Sequence, residues 1–150
     1  MKRRTVLRNL AMASAAAILL PACVSDPKKV SIALNRLQVT PDDEELLGNI
    51  ADTLIPTTET PGARDTSAHL FALVMVDDCL PKKEQEKFLQ GMRSFDVAVK
   101  SATGKSFIEA SANDRVNILQ SFEESLEKVD EEVKLFYSKT RSYIIQGDTS

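Results

Sequence analysis

The sequence predicts an all-α protein, a small helical bundle of about five helices behind an N-terminal signal peptide and linker. Three observations carry this reading. Apolar residues recur at helical spacing over five stretches. Each stretch is bounded by a capping residue, a proline or a glycine. No stretch alternates apolar and polar residues with the two-residue period of a strand, and no Asn-Gly hairpin turn or internal repeat occurs. With 150 residues, 43% hydrophobic and 27% charged, the chain has the composition of one globular domain.

The first helix opens at Thr40-Pro41-Asp42-Asp43. Thr40 can cap, Pro41 suits the first helical position, and Asp43 and Glu44 face the positive helix end. Leu46, Leu47, Ile50, Ala51, Leu54 and Ile55 form its apolar stripe, and Pro56 stops it. Residues 56–64, PTTETPGAR, make a loop in which Pro61-Gly62 predicts a type II turn with Gly62 at positive φ. Asp65-Thr66-Ser67 is expected to cap the second helix. That helix, with Leu70, Phe71, Leu73, Val74, Met75 and Val76, is apolar most of the way round and so expected to be buried. Cys79 within it reads as packing, and His69 as a capping or partly exposed residue. A third helix carries Phe88, Met92, Phe95 and Val99 on one face and stops at Gly104. Ser111 and Asp114 resemble a capping box for a fourth, with Val116, Leu119, Phe122, Leu126 and Val129 as its stripe. Val133, Phe136, Tyr137, Tyr143 and Ile144 continue to the C-terminus after a bend near Asp130.

Residues 1–22 read as an export signal: a basic start, an apolar stretch over residues 10–20, and Pro21-Ala22-Cys23. The apolar stretch is shorter than the roughly 20 residues that span a bilayer. Arg3-Arg4 followed by Thr5, Val6, Leu7 and Arg8 resemble the twin-arginine motif, with Val6 where that motif prefers Phe. Leu20-Pro21-Ala22-Cys23 resembles a lipoprotein cleavage box, which makes Cys23 the expected lipid site. Residues 23–39 then serve as a tether leading into a short ordered segment, and 40–150 form the helical domain. The expected location is the periplasmic side of the envelope, membrane-anchored.

Charge and residue inventory narrow the chemistry. The net charge is −3, but residues 1–22 hold four bases and no acid, which leaves 15 bases against 22 acids in the remainder. An acidic body opposes nucleic-acid binding, which needs a basic face for phosphate. One His and two Cys provide no zinc set, and His69 lacks the Glu-x-x-His spacing of a di-iron bundle. Gly62 stands in no dinucleotide or Walker pattern. The sequence therefore assigns no catalytic, cofactor-binding or metal residues.

Residues 46–79, LLGNIADTLIPTTETPGARDTSAHLFALVMVDDC, resemble the gluconate 2-dehydrogenase subunit 3 family. The resemblance rests on Ala51-Asp52-Thr53-Leu54-Ile55-Pro56, Thr58, Thr60-Pro61-Gly62-Ala63 and Asp78-Cys79. It continues through Glu84-Gln85-Glu86-Lys87-Phe88-Leu89, Gly104-Lys105-Ser106-Phe107 and Phe136-Tyr137. Members usually extend further, so the resemblance implies either a tail missing from this product or a shortened member. It also implies an accessory role beside an exported dehydrogenase of the glucose–methanol–choline type acting on gluconate, sugars or polyols. FAD is then expected in the large subunit, with a cytochrome c subunit as a further candidate partner and the export signal carried by the small subunit. Pro56, Thr58, Glu59, Thr60, Pro61, Gly62 and Arg64 are the candidate docking residues. The alternative is a stand-alone exported helical lipoprotein that binds a small ligand or an envelope partner.

Overall fold

A computed structural model describes residues 30–149. The candidate export residues Arg3, Arg4 and Leu7 and the candidate lipid site Cys23 lie outside the described residues. Among those described, the elements are α1 (Pro41–Leu54), α2 (Ala68–Cys79), α3 (Lys82–Thr103), α4 (Ala112–Glu124), a 3₁₀ turn (Leu126–Lys128) and α5 (Glu131–Asp148), with no strand. The all-α bundle is as the sequence predicts. No described helix is long and apolar enough to cross a membrane.

α1 begins with a full capping box. The Asp43 N–H donates to Thr40 Oγ1, and the Thr40 N–H donates back to the Asp43 carboxylate. α3 ends where Gly104 takes φ +82°, a conformation that costs glycine little. At the start of α4, Ser111 Oγ accepts the Asp114 N–H.

The centre is aromatic. Phe88, Phe95, Phe107, Phe136 and Tyr137 are essentially inaccessible, and ring centroids lie 5.1 Å apart for Phe88–Phe136 and 4.7 Å for Phe95–Phe122. α5 packs along α3, and Gly91 permits the approach. A Cβ at Gly91 would overlap the Glu132 carbonyl oxygen and lie 2.8 Å from Phe136 Cβ.

Several sequence expectations are corrected. α2 is not buried all round: Ala68, Ala72, Leu73 and Val76 face inward, while Leu70, Phe71, Val74 and Met75 stay half-exposed. An unbroken apolar run has no periodicity to say which side is inside. Cys79 is exposed, because the last residue of α2 falls on its solvent side beside Asp78. His69 is buried at 8% exposure, one position into α2. Ser67 precedes α2 at φ 61° with no side-chain cap bond. In α4, Ile118 and Leu119 turn inward while Val116 is 41% exposed. The helix stops at Glu124, so Leu126 and Val129 leave its stripe.

The segment before α1 is irregular but bound. The backbone N–H groups of Asn35, Arg36 and Leu37 donate to the Asp77 carboxylate at 2.7–2.8 Å, and Leu37 is buried in the core. From Leu34 onward the proposed tether is part of the folded unit.

Candidate partner-docking surface

Loop 56–64 is built from α1 outward. Ala63 N–H donates to Ile55 O at 2.9 Å and Thr58 N–H to Thr60 O at 3.0 Å, so the loop closes on itself. Asp65 fastens it, accepting the Thr57 hydroxyl and the Gly62 N–H. These two bonds outweigh a small desolvation cost and hold the Asp65 carboxyl below its ordinary pKa. Asp65 thus secures the loop instead of capping α2.

Gly62 is needed for a different reason from the one its sequence context predicts. It is not at positive φ. A Cβ there would lie 2.6 Å from Ile55 O and Thr57 N and 2.7 Å from Pro56 C. The loop doubles back so tightly that only glycine fits beneath it.

The candidate docking residues separate into two groups. Pro56, Thr58, Glu59, Thr60 and Pro61 are exposed. Gly62 is buried, and Arg64 turns back over α1, donating to Asn49 Oδ1 and Glu45 Oε2, both at 2.8 Å. Arg64 covers Gly48, where a Cβ would stand 3.2 Å from the guanidinium carbon. It is a brace of the loop, half-buried, and its charge is already paired.

Beside the end of α1, where the loop begins, lies a groove. Leu54 and Ile55 from α1, Val116 and Leu119 from α4, and Ile145 from α5 line a groove of about 290 Å³. Its rim carries Glu123 and Arg141, an ion pair at 3.3 Å, and Tyr137 OH donates to Glu123 at 2.8 Å. Burial, followed by the bond to that carboxylate, pushes the Tyr137 phenol well above its usual pKa. On the other flank of α4 lies a larger cleft of about 480 Å³, lined by apolar residues such as Val99, Ala110, Ile118 and Phe122 and by polar ones, Lys105 and Asp114 among them. Sequence reasoning missed both, because each is assembled from separate helices.

These surfaces suit apolar contact better than covalent chemistry. Among the described residues, no group of three or more His, Cys, Asp or Glu is placed to hold a metal. Behind the loop, His69 Nδ1 and Asn49 Nδ2 are buried without hydrogen-bond partners. Burial first, then the Arg64 charge, lower the His69 pKa, opposed by Glu44 and Glu45.

The family model for gluconate 2-dehydrogenase subunit 3 matches residues 41–150. The chain belongs to that family. The match starts at the first residue of α1, so it takes in all five helices and the loop. The family description names its members as a subunit of gluconate 2-dehydrogenase. No curated protein and no solved structure matches it.

Proposed function

We propose that this chain is the non-catalytic small subunit that escorts, stabilises and helps export an FAD-dependent dehydrogenase of the glucose–methanol–choline type. The partner's substrate would be gluconate, another sugar derivative or a polyol. The observation that carries the reading is the family match across the whole helical domain. The residue inventory supports it: no Gly-rich dinucleotide loop occurs in the sequence, and the acidic body offers no basic cradle for a pyrophosphate. The twin-arginine-like start would carry both subunits across the membrane, and an acylated Cys23 would hold the complex on its outer face.

Deleting the chain in its native cells tests this. The expected result is a flavoprotein dehydrogenase that is lost or remains in the cytoplasm, recovered when the full chain is restored. Normal export and activity of that flavoprotein without the chain would overturn the reading. The second reading, a stand-alone ligand-binding lipoprotein, has the 480 Å³ apolar cleft in its favour. It predicts a monomer purified with a small molecule bound and no flavoprotein attached.

A further inference from the structure

We propose that His69 is a proton-operated release for loop 56–64, with the Asn49 carboxamide as the link between its ring and the Arg64 brace. The device lies within this chain and does not depend on the accessory-subunit reading.

Two side-chain fastenings hold the loop. Asp65 ties it to itself through Thr57 and Gly62, and Arg64 ties it to α1. Arg64 carries donors only, so its contact at 2.8 Å fixes which end of the Asn49 carboxamide is oxygen. The amide nitrogen of Asn49 is left buried without an acceptor, on a residue 4% exposed. On α2, behind the same loop, His69 is 8% exposed and its Nδ1 is also buried without a partner. The two groups are complementary while the ring is neutral, since Nδ1 then accepts what the amide donates. Each alone carries the penalty of a buried unmatched group, and a pairing removes both penalties at once.

Protonation reverses the match. Nδ1–H becomes a donor facing a donor. Turning the carboxamide gives it an acceptor, but the same turn takes Oδ1 from Arg64 and presents the amide NH₂ to the guanidinium. The charged groups around the ring supply no other acceptor. From α1, Glu45 is bound to Arg64 and Glu44 accepts the Ser31 N–H. The first turn of α2 holds no acid, and Asp148 of α5 accepts the Thr66 hydroxyl. Arg64 repels a second cation, and with burial this outweighs the pull of the two glutamates. Once the brace is lost, the loop keeps its Asp65 tie but not its side-chain hold on α1. Its exposed tip, Thr58 to Thr60, is then released as pH falls.

The test uses the full chain, in which His69 is the one histidine, so its ring signals in magnetic resonance are unambiguous. Nitrogen shifts near pH 7.5 should show a neutral ring with its proton on Nε2. Amide exchange in loop 56–64, corrected for intrinsic rates, should speed up roughly tenfold between pH 7.5 and 5, the size of a one-unit pKa difference between closed and open loop. The amides of α3 should keep their protection. His69→Gln should hold the loop closed at both pH values. Asn49→Leu should leave it equally loosened at both. Arg64→Gln should raise the ring's titration midpoint, because coupling between brace and proton is reciprocal. Loop exchange that ignores pH in the unaltered chain, or that still follows it in His69→Gln, would overturn the proposal. So would a neutral ring protonated on Nδ1, or protection lost throughout the domain. A pH response kept in Asn49→Leu would leave charge repulsion from Arg64 as the cause and overturn the link. If His69→Gln does not fold, the midpoint in Arg64→Gln decides, and an unchanged value overturns the coupling. None of these readouts needs a flavoprotein, so failure here leaves the accessory-subunit reading standing.

Discussion

Asp77 shows how one buried carboxylate can organise an irregular segment. It is 2% exposed, and burial alone would raise its pKa. The three N–H groups of residues 35–37, with the Arg36 charge, reverse that and hold it below the ordinary aspartate value. Asp77→Ala removes the acceptor and leaves those donors unmatched, an expected loss of about 3 kcal/mol. Thermal unfolding checks the size, and faster proteolysis within residues 30–39 checks the place. His69 carries the pH dependence nearer neutrality. Its folded pKa lies below the ordinary 6.5, so above pH 6.5 it is neutral in both states and its burial carries no proton penalty. As pH falls below 6.5 the unfolded chain takes the proton first, and stability drops until the folded pKa is passed. Melting temperatures between pH 7.5 and 5 should fall less in His69→Gln than in the unaltered chain. Arg64→Glu would place a carboxylate against Glu45 and strip Asn49 Oδ1 of its donor. The side chain is over a third exposed, so a cost of about 1 kcal/mol is expected after solvent screening. Charge reversal of Glu59, which is exposed, is the cleaner probe of the loop as a docking edge.

At the scale of elements, local capping and close approach do different jobs. Thr40→Ala breaks the capping box of α1 and should cost about 1 kcal/mol, visible in denaturant unfolding with an unchanged slope. Gly91→Ala acts on the whole α3–α5 contact, because the added methyl overlaps backbone that cannot rotate away. A loss near 3 kcal/mol, the upper range for overpacking, is expected from the same unfolding curve. Gly62→Ala should leave the helical signal intact while disordering residues 56–62, read as faster amide exchange there. The α4 helix contrasts with both, since only Ile118 and Leu119 of its residues are buried.

The whole molecule joins a basic N-terminal stretch to an acidic helical domain. Replacing Arg3 and Arg4 by lysine is expected to leave the precursor in the cytoplasm, as cell fractionation would show. Mass spectrometry of the mature protein is expected to find an acylated Cys23 at its N-terminus.

By itself the sequence determined the helical class, the starts of α1 and α4, the stops of α1 and α3, and the inward face of α3. Thr40, Pro56, Gly104 and Ser111 act through neighbours within a few residues, and Phe88, Met92, Phe95 and Val99 repeat with the helix period. The family was legible too, since the residues of loop 56–64 and its flanks form a continuous string. Only the tertiary structure decided which side of the apolar α2 is inside, that Arg64 and Gly62 belong to the loop's framework, and that Asp77 binds a segment 40 residues away. It also decided that α4 stands between two recesses. Each of these depends on which helices meet, and the packing of distant surfaces leaves no periodic mark in any one of them.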